Sequence, residues 1–424
     1  MIALLFISLL IFFALSVPIA ISLGLATTLV VWQGEIFSLQ VIAQQIFNSM
    51  NSFPLMAIPF FILAGYLMQS GGISERLINF ASALVGHITG GLAMVAIVTS
   101  MFFAAISGSG AATTAAIGAI LIPAMIAKGY DARYASANQA VSGALGVIIP
   151  PSIPLILYGI AAQVSVGDMF IAGIIPGVFV TSSLLIAAYI VAKRKGYVGI
   201  EKVSFKDTLI AFRKAILSLL MPVIILGGIY GGIFTPTEAA VIAVAYSLVI
   251  GVFVYRCINI FDLAEIFKKS AVTTSIVMIV IGTAGLFSFV LNRLGVPTLI
   301  SEFFLNITTS VVVFLILVNL LLLITGMFIE AAAAILILVP ILLPVAISLG
   351  IDPVHFGIIM VVNLAIGMIT PPVGINLFVA SQISKIKLAT ISRAIIPFII
   401  ILFVNVLVIS FLPFMSTWLP SLLK

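Results

Sequence analysis

The stretch "GVIIPPSIP" at residues 146–154 lies inside a long apolar run and contains three prolines. A proline in a helix interior removes a backbone donor and clashes with the preceding turn, at a cost of about 3 kcal/mol. Residues 367–372 read "GMITPP" and keep the glycine and both adjacent prolines of the first stretch. Because two apolar segments are interrupted in the same way, we predict two broken helices rather than one damaged helix.

The composition predicts an all-α polytopic membrane protein. Of the 424 residues, 63% are hydrophobic and 7% are charged, whereas a soluble domain carries about 25% charged residues. The apolar runs do not alternate, so a transmembrane barrel is not expected. One cysteine, two histidines and the absence of a P-loop motif argue against a disulfide, a transition-metal centre and ATP binding. The basic residues form no patch, so we expect no nucleic-acid partner. The apolar N-terminus lacks the features of a signal peptide and is predicted to be a retained helix.

The chain contains an internal repeat, because Pro344 lies 221 positions after Pro123 and further prolines and glycines match at the same shift. The other matched pairs are Gly129 and Gly350, Asp131 and Asp352, Gly146 and Gly367, Pro150 and Pro371, and Pro151 and Pro372. We divide the chain into a first repeat at 1–200, a cytoplasmic connector at 201–213 and a second repeat at 214–424.

Each repeat is predicted to contain the same two interrupted elements. The first has a re-entrant helical hairpin at about 88–127, with "SGSG" near its tip, and a broken helix at 131–164. The second has a hairpin at about 311–349 and a broken helix at 352–384. If both hairpins are re-entrant, each repeat crosses the membrane five times, and this odd number inverts the second repeat relative to the first.

The distribution of basic residues predicts the orientation. With the N-terminus outside, only Arg293 and Lys424 of the 18 lysines and arginines lie outside, as the positive-inside rule requires. Counting each hairpin as two full spans leaves every basic residue on the same side, so charge fixes orientation and parity but not the hairpins. We expect a multi-pass protein of the bacterial inner membrane with both termini periplasmic.

Inverted repeats with matching broken helices are typical of secondary transporters. A break frees carbonyl and N–H groups near the bilayer midplane, so it must face a polar cavity or a ligand. Freed carbonyls suit a hard cation such as Na⁺, and helix N-termini favour an anion. Proline kinks and close packing of small residues explain one such motif, but two breaks at one internal shift favour a ligand site.

Four separated motifs resemble the large membrane subunit of the tripartite ATP-independent periplasmic (TRAP) transporters, and the resemblance covers essentially the whole chain. The motifs are "SGSGAATTAAIGAILIPAM" from 107, "GALGVIIPPSIPLILYG" from 143, "GIFTPTEAAVIAV" from 232 and "NLAIGMITPPVGINLFVAS" from 363.

This resemblance implies an elevator-type ion-transporter fold and import of an organic acid anion driven by a Na⁺ gradient. It also implies two partners: a small four-helix membrane subunit, expected here as a separate polypeptide, and a periplasmic binding protein that delivers the substrate. Sialic acid and C4-dicarboxylates are the leading substrate classes, and overall likeness favours sialic acid.

We expect each hairpin tip to meet the break of its own repeat around one Na⁺, and the family's sodium sites agree with this in outline. The candidate ligands of the first site are Ser107, Gly108, Ser109, Gly146, Ile149 and Pro151. Those of the second site, at the predicted second tip, are Thr325, Gly326, Met327, Gly367, Thr370 and Pro372. Thr370 adds a hydroxyl that its counterpart Ile149 lacks, so the two sites need not be equal.

The substrate is expected between the two tips. Its candidate contacts are Ser109, Thr113, Ser152 and Asn376, the last two beside helix restarts whose N-termini can hold a carboxylate. Arg293 is interpreted as a solvated loop residue. Glu330, beside the second tip, is either a functional carboxylate or a solvated one.

Three other segments have structural interpretations. Residues 235–238, "TPTE", predict a capping box that starts a helix. Residues 73–86 and 259–271 are predicted to be amphipathic arms along the membrane interface, the second preceding a separate helix at 271–291.

Three alternatives stay open at this stage. The first is an autonomous ion-coupled carrier that needs no binding protein. A membrane-embedded enzyme is disfavoured, because no paired catalytic groups occur at membrane depth. A passive channel is distinguished only by whether uptake runs uphill.

Overall fold

The computed structural model describes residues 1–35, 37–307 and 310–423, with side chains described throughout except at 305–307. The first half contains ten α-helices and a short 3₁₀ helix at Phe53–Met56: α1 Ile2–Ala14, α2 Ile19–Gly34, α3 Leu39–Met50, α4 Ala57–Ser70, α5 Ile73–Val85, α6 Gly91–Ser107, α7 Gly110–Ala127, α8 Ala132–Ile148, α9 Ile153–Ala161 and α10 Val166–Lys195.

The second half is also helical through its described residues. Its helices are α11 Phe205–Tyr230, α12 Pro236–Leu248 with a π-helical continuation at Val249–Val254, α13 Ile260–Arg293, α14 Val296–Ile307, α15 Val311–Phe328, α16 Ala331–Ser348, α17 Pro353–Gly367, α18 Ile375–Ser384, α19 Leu388–Phe411 and α20 Phe414–Leu423. Ten apolar stretches in the described part of the chain are long enough to cross a membrane.

The internal repeat recurs in the helix boundaries. Helix α7, at Gly110–Ala127, has its counterpart in α16, at Ala331–Ser348, and both ends are displaced by the same 221 positions as the sequence repeat. Asp131 and Asp352 occupy equivalent N-cap positions, and each carboxylate accepts a hydrogen bond from the backbone N–H two residues later. In both breaks the peptide bond between the paired prolines is cis.

The helices form two layers. The hairpins α6–α7 and α15–α16 pack against the broken helices α8–α9 and α17–α18, and α10 and α19 complete this layer, which we call the core. The remaining layer, which we call the scaffold, contains α2 to α5 and α11 to α13. The two layers meet where α4 and α5 contact α6 and where α13 contacts α16.

Burial differs most between the first broken helix of the core and helix α11 of the scaffold. In the first broken helix, α8 with α9, 94% of the most apolar window is buried inside the protein, whereas the corresponding value for α11 is 22%. Because lipid cannot satisfy free backbone groups, this enclosure is what a helix break in the bilayer requires. The scaffold helix α11 instead exposes large apolar side chains, including Val223 and Leu209, as expected for a lipid-facing helix.

Two predicted boundaries are wrong. The segment 259–271 is not a separate arm, because α13 runs without interruption through Ile260–Arg293. In the first half, Pro54 lies in a 3₁₀ turn that separates α3 from α4. The equivalent position of the second half is Ser275, which lies inside the continuous helix α13. The connector is also shorter than 201–213: α11 begins at Phe205, where the Ser204 hydroxyl caps it by accepting from the Asp207 N–H.

The structure contains two other predicted local features, the capping box and the first arm, and three helices that were not predicted. The Thr235–Glu238 capping box is present, with the Glu238 carboxylate accepting from the Thr235 N–H at 2.7 Å. The predicted arm at 73–86 corresponds to α5, Ile73–Val85, whose apolar face is buried. Three short helices, α3, α14 and α20, were not anticipated from sequence. Lys424 lies outside the described residues.

In the second repeat, the hairpin arm α15 packs on α17 through two glycines. A methyl group at Gly367 would lie 2.3 Å from the Gly326 Cα, and one at Gly326 would lie 3.2 Å from the Leu364 Cα. The backbones therefore approach too closely for any side chain at this crossing.

We predict that Gly367→Ala lowers the apparent melting temperature of the purified protein, because the new methyl group meets backbone and costs about 1–3 kcal/mol. Gly227→Ala in α11 is the matched control, since a methyl group there enters open space and replaces a poor helix former. Equal melting temperatures for the two variants would contradict the close glycine crossing.

Candidate functional site

The first hairpin tip is a short turn between α6 and α7. Gly108 has a left-handed φ of 59° and ends α6, and Ser109 is the N-cap of α7. The Ser109 hydroxyl accepts from the Ala112 N–H, while its carbonyl accepts from the Thr113 hydroxyl at 2.9 Å. The Ser107 and Thr113 hydroxyls are 2.7 Å apart, so the tip is rich in oxygen atoms that point inward.

This tip touches the first break, as predicted. The Ile153 N–H donates to the Gly108 carbonyl at 3.3 Å, and a methyl group at Gly108 would lie 3.1 Å from the Pro151 carbonyl oxygen. A methyl group at Gly146 would lie 2.4 Å from the Ser109 carbonyl oxygen. The two glycines thus allow the backbones of the tip and the break to come into close contact.

Ile149 contributes differently from the other five candidates. It is the C-cap of α8 and has an extended backbone, but its side chain packs against Gly177 on α10. Only its main chain is therefore available to the first site.

The predicted position of the second tip is wrong. Thr325, Gly326 and Met327 lie in the last turn of α15, and the turn itself is at Ile329 and Glu330. Gly326 does not have the positive φ of Gly108, and its closeness to Gly367 shows that it serves helix packing rather than a turn. The shift of 221 carries Ser107–Ser109 onto 328–330, so the repeat itself contained the correct position.

The second candidate set surrounds the second break. Residues 368–374 form the break, where the Asn376 N–H donates to the Met368 carbonyl at 3.0 Å and closes the loop. The Thr370 hydroxyl donates to the Ile366 carbonyl at 2.7 Å and keeps its lone pairs for a further partner. The Thr325 hydroxyl is directed back to the Leu321 carbonyl, away from Thr370.

A cavity of about 550 Å³ lies between the core and the scaffold. On the core side it is bounded by both tips, by Met368 of the second break and by the helix ends on either side of the first break. The core residues that line it include Ser107 to Ala112, Glu330, Val147, Ile153, Met368 and Ile375. In the described structure, the cavity therefore lies next to both tips and to helix ends at both breaks.

The scaffold adds polar groups that the sequence did not single out. The Tyr66 hydroxyl of α4 and the Thr273 hydroxyl of α13 are 2.9 Å apart, and both residues line the cavity with Gln69. These two residues are 207 positions apart in the chain, and no local motif marks either of them.

Only one of the four predicted substrate contacts lines the cavity. That residue is Ser109. Thr113 is fully buried behind the tip, and the Ser152 hydroxyl donates across the break to the Val147 carbonyl. Asn376 is also fully buried, and its amide donates to the Ala140 carbonyl at 3.3 Å. These three residues shape the core rather than face the cavity.

Glu330 is the pseudo-symmetric counterpart of Ser109. Each is the N-cap of the second arm of its hairpin, α16 and α7 respectively, and each lines the cavity. The cavity thus has a hydroxyl at one tip and a carboxylate at the other. Arg293 ends α13 and does not line the cavity.

Residues 6–415 match the family described as "Tripartite ATP-independent periplasmic transporter, DctM component". The chain belongs to this family. Family membership and the apolar stretches identify a multi-pass inner-membrane transport protein rather than an enzyme.

Three relatives differ in the substrate that their names give. The isethionate TRAP transporter permease protein DctMQ of Oleidesulfovibrio alaskensis is 46% identical over 95% of this chain, which spans only 64% of that protein. The C4-dicarboxylate large permease protein DctM of Pseudomonas aeruginosa is 44% identical over 94% of each chain. The sialic acid large permease protein SiaM of Vibrio cholerae is 40% identical over 90% of this chain and 89% of its own.

The fold is also that of a solved transporter. The YdaH transporter of Alcanivorax borkumensis superposes with a TM-score of 0.67, covers 88% of each chain and is 17% identical in sequence. At that identity the likeness concerns the fold alone.

Cysteine labelling tests the cavity directly. In a Cys257→Ser background we expect Ser109→Cys and Glu330→Cys to react with a small polar thiol reagent, because both positions line the cavity. Thr113→Cys is the matched control, since Thr113 is fully buried, and it should react at least about tenfold more slowly. Equal rates at all three positions, measured by mass spectrometry of the purified variants, would refute the placement of the cavity.

Proposed function

We propose that this chain is the translocating subunit of a Na⁺-coupled importer of organic acid anions that works by an elevator mechanism. The observation that supports this most strongly is the cavity between core and scaffold, which is lined by both hairpin tips and by helix ends at both breaks. Family membership supports transport, and the isethionate, dicarboxylate and sialic acid relatives support an anionic substrate.

The first tip and break suit a sodium ion. Na⁺ prefers oxygen ligands, and carbonyls released by a helix break can supply them. The carbonyls of Ser109 and Pro151 lie where the tip and the break approach each other closely, at Gly146 and Gly108 respectively. The second break offers the Thr370 hydroxyl instead, with Gly367 and Pro372 beside it. In this proposal the ion is cargo that moves down its gradient.

The end of the cavity at the first tip suits the anionic group of the substrate. Helix α7 has 18 residues and begins at Gly110 with a neutral cap, so its N-terminal dipole is not offset by a carboxylate. Gly110 and Ala111 line the cavity, and first-turn N–H groups are natural donors to an anion. The Ser109 hydroxyl can donate to the same group.

The opposite end suits groups that donate hydrogen bonds. Glu330 accepts from hydroxyl or amide groups and repels a second carboxylate nearby. This favours a monoanion with donors elsewhere in the molecule, such as isethionate or a sugar acid, over a C4-dicarboxylate. Tyr66, Thr273 and Gln69 offer further hydrogen bonds from the scaffold.

The family resemblance extends the proposal to partners and orientation. A small four-helix membrane subunit would complete the scaffold, and a periplasmic binding protein would deliver the anion. Both termini would then be periplasmic, with the basic residues on the cytoplasmic side.

Reconstitution tests the function. Proteoliposomes that contain this chain and its small subunit, with the binding protein outside, should accumulate labelled substrate only under an inward Na⁺ gradient. Isethionate, sialic acid and succinate are compared, and the first two are expected to be preferred. Uptake that persists when K⁺ replaces Na⁺ would refute sodium coupling, and uptake without the binding protein would support an autonomous carrier.

The second sodium site has a separate test. Thr370→Ala should raise the Na⁺ concentration for half-maximal uptake by about tenfold, because one hydroxyl ligand to a cation is lost. Ser384→Ala is the matched control, since the Ser384 hydroxyl makes the same kind of bond four residues back along its helix. Unchanged sodium activation in Thr370→Ala would remove that hydroxyl from the site.

A further inference from the structure

A second cavity, of about 410 Å³, lies at the other end of the core, on the side predicted to be cytoplasmic. Three basic side chains line it: Arg133 at the start of α8, Lys195 at the end of α10 and Arg393 in α19. Asp131 is the one acidic residue in the lining, so the lining carries a net positive charge. Sodium binding and the substrate cavity use none of these residues.

Asp131 holds two of the cations in place. Arg133 donates to its carboxylate from both Nε and Nη2, the latter at 2.6 Å, and the Lys195 Nζ is 3.8 Å away. The Arg133 hydrogen bonds hold the pKa of Asp131 down to about 2, so the carboxylate stays charged at cellular pH. Its charge balances only one of the three cations.

An aromatic platform fixes the positions of these groups. The Tyr130 and Tyr197 rings stack with centroids 4.3 Å apart, and the Lys195 Nζ lies 5.7 Å from the Tyr134 ring centroid. The Tyr197 hydroxyl also accepts from the Asp131 N–H at 2.9 Å. The platform joins the turn before α8 to the end of α10, so the charged groups do not depend on a flexible loop.

Arg393 has the most freedom to bind a ligand. It is exposed, and across the described ranges of the chain no carboxylate lies within ion-pair distance of it. It shares the cavity with Ala389 and Thr390 from the first turn of α19. That helix has no side-chain cap at its N-terminus. Its Thr390 N–H donates to the Lys387 carbonyl at 2.9 Å, which leaves the Ala389 N–H as the first-turn donor that lines the cavity.

We propose that this cavity binds a phosphate group. A guanidinium, an ammonium, a hydroxyl and a first-turn helix N–H group around one space are the donors that phosphate oxygens require. The phosphate comes either from the headgroup of an anionic lipid of the cytoplasmic leaflet or from a soluble phosphate in the cytoplasm. The site belongs to the core rather than to the scaffold.

Two binding measurements on the purified, delipidated full chain separate these sources. In the first, native mass spectrometry compares retention of phosphatidylglycerol with that of phosphatidylcholine. In the second, the melting temperature is compared in inorganic phosphate and in chloride at equal ionic strength. Arg393→Gln should reduce the lipid preference or the phosphate affinity by about fivefold, the effect of one basic group near an anionic surface.

Lys206→Gln is the matched control, because it removes one exposed positive charge from α11, outside the cavity. If Arg393→Gln reduces the lipid preference or the phosphate effect and Lys206→Gln does not, the site is supported. The measurement that changes identifies whether the phosphate comes from a lipid or from a soluble molecule. Should Arg393→Gln fail to fold, Lys195→Gln provides the same comparison. If neither measurement distinguishes the cavity variant from Lys206→Gln, the proposal is overturned. No arm measures transport, so the result is independent of the proposed function.

Discussion

A backbone group left without a hydrogen-bond partner in hydrocarbon costs about 2–7 kcal/mol, and this constraint determines how the two broken helices must lie. Each interrupts its hydrogen-bonded ladder at paired prolines, so each has to be enclosed by protein. The hairpins provide the enclosure: the first tip contacts the first break, and the arms of both hairpins cover the flanking helices. Gly108 and Gly146 at one crossing, and Gly326 and Gly367 at another, allow the backbones to approach closely enough to exclude lipid.

The repeat supplies symmetrical positions, but the residues that occupy them differ chemically. Ser109 and Glu330 are equivalent N-caps, and they give the cavity one neutral and one acidic end. Ile149 and Thr370 are equivalent break residues, and only the second carries a hydroxyl. An asymmetric substrate can therefore bind in one orientation between symmetrical elements, which two identical halves would not specify.

Much of the fold followed from the sequence, because prolines, glycines and apolar length act locally. The capping box, the first tip and both breaks were predicted from such signals. The predicted position of the second tip at Gly326 was wrong, because the sequence alone does not distinguish a glycine that permits close helix packing from a glycine that ends a helix. The Tyr66–Thr273 pair had no local signal, because only the folded chain joins residues that are 207 positions apart.

The location of the cavity connects this architecture to movement. The interrupted elements near it all belong to the core. In the proposed elevator mechanism, an ion held at a tip and an anion beside it would therefore move together with the core. From the scaffold the cavity receives mainly aliphatic side chains such as Ile276 and Val280, with Tyr66, Thr273 and Gln69 as the main polar groups. Apolar contacts are non-directional, so a core that slides past such a surface replaces one set of apolar contacts with a similar set. Only a few hydrogen bonds need to form again.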